Sequence, residues 1–201
     1  NRHYWDNPKS CGLFEHEYEL PIEDSAWKEI ARHVENCLKN FYQSEIFKKI
    51  QKLPKEQWLE MEDFSGFEMD GVKVHVVIDF SFQEDQDVYI YDWKTSRSDH
   101  ENNEIQFACY SFYAMTKWLV KPEQVHVVEF NLASNRQAVY NYKAADLVSI
   151  PEYIRGSMRD MRLLLADPDT NMAMEERFSL VENERVCQYC NFKKVCPKWK
   201  K

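Results

Sequence analysis

The sequence predicts an α/β domain in which a central sheet is flanked by helices. Hydrophobic residues make up 44% of the 201 positions and glycine occurs only four times, which is typical of a folded globular chain. A chain of this length is long enough to bury a sizeable core. Apolar residues recur with helical spacing in some segments and alternate in others. The predicted order is helix, three strands, helix, two strands, helix.

The first half of the chain should form a helix followed by a meander of three strands. Residues 25–50 carry apolar side chains at helical spacing, and Ser25 is placed to cap this helix. Strands are expected at 58–69, 72–80 and 88–94. Asp70-Gly71 is a strong signal for the first turn, and the polar stretch 83–87 supplies the second.

The second half should return to a helix at 104–119, two strands at 124–132 and 137–142, and a helical segment at 144–165. Pro151 requires a break or a new first turn in that segment. The last thirty residues are short and irregular. We therefore predict one domain over 1–201, with a core at about 25–165 and a terminal module formed by about 1–20 and 175–201.

Composition and charge restrict the class of protein. A net charge of −8 argues against a surface coated with basic residues for duplex DNA, although residues 185–201 hold six basic side chains and no acidic one. That tail is either a phosphate contact or a solvated terminus. No run approaches the roughly 18 apolar residues of a membrane span. No secretion signal opens the chain, so we expect a cytoplasmic protein. Because the first residue is Asn rather than Met, we also expect that an N-terminal stretch is missing from the sequence.

Two carboxylates and a lysine form the candidate catalytic group. Asp92 and Lys94 are two apart on one strand and so project to the same face. Asp79 lies near the end of the preceding strand and should face Asp92 across the pair. Two carboxylates at close range repel unless a cation joins them, which favours Mg²⁺ or Mn²⁺. The alternative is an ordinary Asp–Lys surface pair, but both carboxylates follow strongly apolar runs, where polar groups are costly.

These segments resemble a known family. Residues 76–79 (Val-Val-Ile-Asp) and 90–96 (Ile-Tyr-Asp-Trp-Lys-Thr-Ser) look like motifs II and III of the RecB-like PD-(D/E)XK nucleases, and Gln106 with Tyr110 resembles their Gln-x3-Tyr motif. The resemblance implies a restriction-endonuclease-like core with a central mixed sheet. It also implies DNA as substrate, with Asp79, Asp92 and Lys94 as catalytic residues.

Further positions fit the same family more loosely. His33 lies on the first helix, where these nucleases carry a metal-ligating histidine. Glu62 lies near their first acidic motif, but Glu60 shares its strand face and is hard to separate from it. His75 shares the face of Asp79 and is interpreted as structural.

Six cysteines are present, and three of them form a Cys187-x2-Cys190-x5-Cys196 cluster. Without a secretory context, this pattern favours metal or iron–sulfur ligation over disulfides. It resembles the CRISPR-associated RecB-like exonucleases and the AddB nuclease domain, in which a [4Fe–4S] cluster joins the two chain ends. Cys11 is the candidate fourth ligand and Cys37 its alternative, zinc is the alternative metal, and Cys109 is expected to be a buried thiol.

The expected function is a Mg²⁺- or Mn²⁺-dependent deoxyribonuclease, most simply an exonuclease on single-stranded DNA. Tyr189, Phe192 and Trp199 lie among lysines and could stack on unpaired bases. The resemblance implies DNA repair, recombination or CRISPR adaptation, with protein partners in such a complex and a bacterial, archaeal or viral origin. The alternatives are a catalytically silent DNA-binding or adaptor subunit and a site-specific restriction-type endonuclease.

Overall fold

A computed structural model describes residues 13–97 and 103–199. The described helices are α1 Phe14–Glu17, α2 Asp24–Gln43, α3 Glu45–Lys52, α4 Glu104–Trp118, α5 Ala144–Leu147, α6 Ile150–Leu163 and α7 Glu184–Cys187. The described strands are β1 Trp58–Glu60, β2 Ser65–Met69, β3 Val72–Val76, β4 Phe80–Glu84, β5 Asp87–Lys94, β6 Val125–Asn131, β7 Arg136–Asn141, β8 Leu165–Asp167 and β9 Met172–Ala173. None of these helices is long and apolar enough to cross a membrane.

The chain divides into two compact units. One comprises residues 30–155, and the other combines 1–29 with 156–201. The unit at 30–155 contains the main sheet, the helix α4 and all of the predicted catalytic residues. The other unit contains the cysteine-rich C-terminal segment and, in its described part, the hairpin of β8 and β9, which the sequence did not lead us to expect.

The main sheet has five strands in the order β1-β4-β5-β6-β7. Its neighbouring strands are antiparallel except for β5 and β6, which run parallel. A parallel pair needs a crossover connection, and α4 lies within it. The predicted α/β fold with a central mixed sheet flanked by helices is therefore confirmed.

The two faces of the sheet pack against different helices. On β5, Val88 and Ile90 belong to a core that α4 covers with Phe107 and Tyr113. The alternate residues Tyr89, Tyr91 and Trp93 pack against the opposite core, which contains Cys37 of α2 and Ile46 of α3 together with Phe80, Phe82, Phe130 and Leu132. Because side chains alternate along a strand, Asp92 and Lys94 continue the face that α4 covers.

The predicted three-strand meander is wrong. The Asp70-Gly71 turn forms as expected, with φ of 49° and 75°, and joins β2 to β3. However, these two strands make a separate two-stranded sheet. The chain leaves it over residues 77–79 and enters the main sheet as β4, so the predicted strand 72–80 is broken. The predicted loop at 83–87 is a shorter turn at residues 85 and 86, which joins β4 to the antiparallel β5.

The predicted first helix is two helices. Ser44 interrupts it and caps α3, its hydroxyl oxygen accepting a hydrogen bond from the Phe47 amide at 3.2 Å. The expected apolar stripe on α2 is also wrong in part, since Ile30, Val34 and Leu38 are each about half exposed. The helix is instead anchored in the core by Cys37 and Phe41. Pro151 lies in the first turn of α6, where its missing amide hydrogen costs nothing.

Candidate active site

Asp92 and Lys94 lie at the end of the central strand β5. Their side chains form an ion pair, with Lys94 Nζ 2.7 Å from Asp92 Oδ2. Asp92 is buried, being 3% exposed, while one fifth of the Lys94 side chain remains accessible. The shared face that strand geometry predicts is therefore present, and the pair is not an ordinary exposed surface pair.

Asp79 lies in the segment where the chain passes from β3 to β4. Phe80 pairs with Tyr91 in the antiparallel ladder, so Asp79 comes opposite Asp92 just beyond the last pair. Its Oδ2 accepts a hydrogen bond of 2.6 Å from the Trp93 amide. This bond fixes the carboxylate beside β5, although Asp79 belongs to a strand break rather than to a strand end.

Gln106 and Tyr110 occupy one face of α4 and close the site from the side of the helix. The Gln106 amide nitrogen donates to the Tyr110 hydroxyl at 2.8 Å and lies 3.3 Å from Asp92 Oδ1. The Tyr110 hydroxyl also lies 3.3 Å from Asp92 Oδ1 and 3.2 Å from the Val77 carbonyl oxygen. Lys94 donates to Gln106 Oε1 at 3.4 Å. The predicted Gln-x3-Tyr pair thus holds the carboxylate and the lysine in one network.

The carboxylates repel one another across this network. Burial raises the pKa of Asp79, and the negative charges of Asp92 and Glu62 raise it further against the lowering effect of the Trp93 amide and Lys94. Burial followed by the charge of Asp92 also raises the pKa of Tyr110. The hydroxyl of Tyr110 therefore stays protonated and serves as a donor at neutral pH.

Glu60 and Glu62, which seemed to share a strand face, lie in different environments. β1 ends at Glu60, and Glu62 follows in a turn with φ of 56°. The Glu62 amide donates to the Ile78 carbonyl oxygen at 2.9 Å, next to Asp79. Glu60 is buried and accepts hydrogen bonds from Tyr113, Ser65 and Lys117. The prediction that both side chains lie on one strand face is wrong. Of the two residues, Glu62 is the one whose negative charge acts on Asp79.

His33 lies in α2 with both ring nitrogens engaged. Its Nε2 donates to the Thr95 carbonyl oxygen at 2.8 Å, and Nδ1 accepts from Arg97 Nε at 3.4 Å. Thr95 directly follows Lys94, so the imidazole is near the end of β5. In this arrangement neither nitrogen presents a lone pair to a cation, and a metal-ligating role for His33 stays a prediction.

The donors at this site suit a divalent cation held by few protein ligands. Mg²⁺ is commonly bound by one or two carboxylates, with water and substrate phosphates completing the octahedron. Asp92 Oδ2 is buried without an aligned hydrogen-bond donor, and its charge is met only by the ion pair with Lys94. Over residues 13–97 and 103–199, however, no three His, Cys, Asp or Glu side chains are gathered as a metal-binding group. Asp79 and Asp92 are therefore the two candidate ligands beside one another, and ligation by His33 as a third stays a prediction.

The cysteine-rich segment forms a series of tight turns. Cys187 is buried at the end of α7, and the Cys190 amide donates to its carbonyl oxygen at 3.4 Å. Cys196, Cys190 and Cys187 are free thiols, and the described residues do not bring them into a metal-binding group. Cys11, the predicted fourth ligand, lies outside the described residues.

Cys37 and Cys109 differ in how deeply they are buried. Cys37 of α2 is buried in the hydrophobic core, and its sulfur lies 3.8 Å from His33 Nε2, as the spacing of four residues on one helix predicts. Cys109 is only half-buried, and burial raises the pKa of its thiol. It lines a pocket beside Gln106 and Tyr110, so its description as simply a buried core thiol is incomplete.

Comparison with known proteins identifies the family of the chain. The family model for the PD-(D/E)XK nuclease superfamily matches residues 10–197, and the chain belongs to that superfamily of metal-dependent nucleases. No curated protein matches the sequence. A solved structure described as "Crystal structure of SSO0001" is 17% identical, with a TM-score of 0.39, covering 94% of this chain and 80% of that chain.

Proposed function

We propose that this chain is a Mg²⁺- or Mn²⁺-dependent deoxyribonuclease that cleaves single-stranded DNA from an end, with Asp79, Asp92 and Lys94 as its catalytic residues. The observation that carries the proposal is the buried Asp92 bound at once by Lys94, Gln106 and Tyr110 beside a second carboxylate. Such a concentration of negative charge is expensive to bury unless it binds a cation.

Each side chain has a distinct role in this proposal. Asp79 and Asp92 would hold the divalent cation, which when bound supplies an activated water and positive charge near the scissile phosphate. The Trp93 amide orients Asp79, while Tyr110 and Gln106 orient Asp92. Lys94 retains a partly accessible ammonium that can position the attacking water and neutralise charge growing on the phosphate. Glu62 adds to the acidic field at Asp79.

The proposed preference for single-stranded DNA is based on the C-terminal segment. The chain is acidic overall, but residues 185–201 carry six basic side chains and no acidic one. Tyr189 and Phe192 in that segment are more than 70% exposed, and Lys193 Nζ lies 4.7 Å from the Trp199 ring centre. Aromatic rings interleaved with lysines suit stacking on unpaired bases and contact with phosphates. Roles in repair, recombination or CRISPR adaptation follow only from the resemblance of the motifs.

One digestion experiment tests the function. The purified chain is incubated with four substrates: duplex and single-stranded DNA, each as an end-labelled linear molecule and as a circle. Each reaction contains Mg²⁺, Mn²⁺ or EDTA. We expect metal-dependent loss of linear single strands and survival of the circles. Discrete sequence-dependent fragments would identify a restriction-type endonuclease instead. Binding of DNA without cleavage under any metal would identify a silent adaptor subunit.

We also propose that Cys11, Cys187, Cys190 and Cys196 ligate a [4Fe–4S] cluster. The spacing supports it, and so does contact between the chain ends: the Tyr18 hydroxyl donates to the Asn191 carbonyl oxygen at 2.9 Å, and Lys194 Nζ lies 2.5 Å from a Glu17 carboxylate oxygen. Only a fold that returns the C-terminus to the N-terminal segment can deliver a ligand from position 11.

Colour and stability test the cluster together. Anaerobically purified protein should be brown, with broad absorption at about 400 nm, as expected for iron–sulfur charge transfer. Cys11→Ser should bleach that colour and lower the melting temperature, since the ligands close a very long loop; Cys37→Ser should keep the colour. Colourless protein that contains stoichiometric zinc would identify the metal as zinc rather than iron. The proposed set of four cysteine ligands would still stand. Full retention of cluster and stability in Cys11→Ser would refute Cys11 as a ligand.

A further inference from the structure

The side chains at the end of the main sheet form two rows that cross β5, β6 and β7. The strand register gives an inner row of Asp92, Glu129 and Ala138 and an outer row of Lys94, Asn131 and Arg136. Tyr140 of β7 packs against the core that α4 covers, and side chains alternate along a strand, so both rows lie on that face. The inner row carries the carboxylates, and the outer row carries the basic side chains.

The outer row is the more accessible of the two. In the ion pair of Asp92 and Lys94, one fifth of the lysine side chain is accessible, compared with 4% of the aspartate side chain. Arg136, at the other end of the outer row, is exposed. A DNA strand therefore reaches the catalytic pair from the outer row, where its phosphates meet positive charge before they meet the carboxylates.

A cleft of about 200 Å³ lies over β6 and β7 at this end of the sheet. We call it the Arg136 cleft, and its described lining residues are Glu129, Asn131, Arg136, Gln137, Ala138 and Tyr140. Pockets that enclose a whole small ligand measure about 300–1,000 Å³. The Arg136 cleft is smaller and suits a segment of a longer chain that passes over it.

Asn131 fixes the Arg136 cleft relative to Lys94. It is 6% exposed, and its amide nitrogen donates to the Ser96 carbonyl oxygen at 3.0 Å. Its amide oxygen accepts a hydrogen bond from the Ser134 backbone amide, also at 3.0 Å. These two bonds join the segment after Lys94 to the turn before Arg136, so the backbone sets the separation of the two basic residues.

That separation suits two phosphates rather than one. Lys94 and Arg136 are two strands apart, which corresponds to about 10 Å between their Cα atoms. Lys94 Nζ is held by Asp92 at 2.7 Å and by Gln106 Oε1 at 3.4 Å. Its charge is therefore committed to the catalytic network rather than to the Arg136 cleft, and the two cations do not converge on a single phosphate.

Glu129 limits how deeply an anion can enter the Arg136 cleft. It is half-buried, and the Tyr140 hydroxyl donates to its carboxylate at 3.5 Å. A phosphate at the inner row would be repelled by this charge. The phosphate therefore stays at the rim beside Arg136, and the small side chain of Ala138 leaves room for the uncharged sugar.

We propose that the Arg136 cleft binds the phosphate next to the scissile one, so that the DNA strand crosses the end of the sheet from β5 toward β7. The proposal rests on the proposed nuclease function and adds the path of the substrate backbone. The planar guanidinium of Arg136 can form two parallel hydrogen bonds to a phosphate. Arg136 is a binding residue in this arrangement, and Lys94 remains the residue at the reacting phosphate.

Methylphosphonate scanning tests the proposal. A set of end-labelled single strands, each with one phosphate replaced by an uncharged methylphosphonate, is cut with Mn²⁺ at substrate concentrations where the rate follows kcat/KM. One replacement next to the scissile position should lower kcat/KM by roughly tenfold, as loss of hydrogen bonds to a charged group does. Arg136→Gln should lose the sensitivity at that position and keep it at the scissile position. A profile without such a position, or one that is unchanged in Arg136→Gln, would overturn the proposal.

Variants separate binding from folding and from net charge. Arg136→Gln should raise KM by roughly tenfold and leave kcat close to that of the parent, because it removes binding common to the substrate and the transition state. Arg136→Lys keeps the charge but loses the planar fork, so its KM should be intermediate. Lys73→Gln is the matched control, since Lys73 is exposed on β3 in the other sheet, and it should retain the parent profile. A lower kcat with an unchanged KM in Arg136→Gln would refute the binding role.

The salt dependence of binding distinguishes this proposal from the proposed function. Binding of a fluorescein-labelled single strand in EDTA, followed by anisotropy, requires no cleavage. Loss of one phosphate contact in Arg136→Gln should reduce the slope of log K against log salt by about 0.7. Equal slopes in the parent and Arg136→Gln would overturn the Arg136 cleft even if the strands are cut. Failure to cut any DNA would contradict the nuclease function, while a reduced slope would still support a phosphate contact at Arg136.

Discussion

Two buried carboxylates in this protein have similar partners but different surroundings. The Glu60 group consists of Glu60 with Ser65, Tyr113 and Lys117; the Asp92 group consists of Asp92 with Lys94, Gln106 and Tyr110. Each contains a lysine and a tyrosine. In the Glu60 group one oxygen receives three donors and the lysine balances a single charge. In the Asp92 group, Asp79 and Glu62 add further negative charge.

The helix α4 supplies both groups from one stripe. Gln106 and Tyr110 are four residues apart, Tyr113 follows after three, and Lys117 after four more, so all four lie on the same helix face. The N-terminal half of the stripe serves Asp92 and the C-terminal half serves Glu60. The same residue types therefore balance a single charge in the Glu60 group, whereas a surplus of carboxylate remains in the Asp92 group, which is the one that we propose to be catalytic.

The two lysines give the largest expected contrast. Lys94→Ala should lower the rate of DNA cleavage by about 10²–10⁴-fold, because it removes the group that positions water and neutralises the phosphate. Lys117→Ala should leave the rate per folded molecule close to that of the unsubstituted chain. Single-turnover cleavage of a labelled strand, corrected for the folded fraction, measures both. Equal losses in the two variants would abolish the distinction between the groups.

The second-largest expected contrast is in the metal affinity of variants at the carboxylates of the two groups. Asp79→Asn and Asp92→Asn each remove a negative charge that a hard divalent cation requires, so Mn²⁺ affinity should fall at least as much as the roughly 10–100-fold typical of losing a supporting residue. Glu60→Gln should bind Mn²⁺ normally. Isothermal titration calorimetry gives the three affinities. A metal site elsewhere would be indicated if both Asn variants bound Mn²⁺ unchanged.

For stability, in contrast to cleavage and metal binding, the larger effect is expected in the Glu60 group. Lys117→Met leaves the buried Glu60 carboxylate without its counter-ion, which should lower the free energy of unfolding by about 2 kcal/mol; this is less than for a fully buried pair, because water reaches the lysine, whose side chain is 39% exposed. Adding Glu60→Gln should recover part of the loss. Urea unfolding of the single and double variants measures both values. A single variant as stable as the parent would mean that the Glu60 group contributes little.

The smallest expected effect is a pH dependence of the stability that the Lys117–Glu60 pair contributes. Partial burial alone would lower the pKa of Lys117, but its hydrogen bonds to Glu60 and Tyr113 outweigh that effect and raise the pKa above the ordinary 10.5. The contribution to stability is therefore complete below pH 10.5 and decreases as the pH rises through the raised value. The difference in unfolding free energy between the parent and Lys117→Met should be constant from about pH 8 to 10 and shrink above that range. A difference that grew with alkaline pH would contradict the assigned shift.

Much of the Asp92 group could be predicted from the sequence because it depends on local periodicity. Asp92 and Lys94 share a strand face at a spacing of two, and Gln106 and Tyr110 share a helix face at a spacing of four. Both relations hold once the element type is right. The partners of Glu60 were missed because they lie on β2 and α4, and a contact between distant elements has no local period.

The errors fall where the backbone departs from its element without a sequence signal. Glu62 adopts a left-handed conformation, which is uncommon for a residue other than glycine, and this moves it off the strand that holds Glu60. The run at 72–80 contains no glycine or proline after Gly71, so nothing marks the break that places Asp79 between two sheets. His75 consequently belongs to the hairpin, and the strand face it was expected to share with Asp79 does not exist.

The parallel pairing of β5 with β6 has a consequence for how the chain folds. Antiparallel partners such as Phe80 and Tyr91, or Asn131 and Arg136, are close in sequence, whereas Val88 pairs with Val125 across the whole of α4. Closing that longer loop is entropically more costly, so the two hairpins can form before they join. Asp92 gains Gln106 and Tyr110 only when α4 crosses over the joined strands. Refolding protein should therefore regain strand structure, seen by circular dichroism, before it regains nuclease activity.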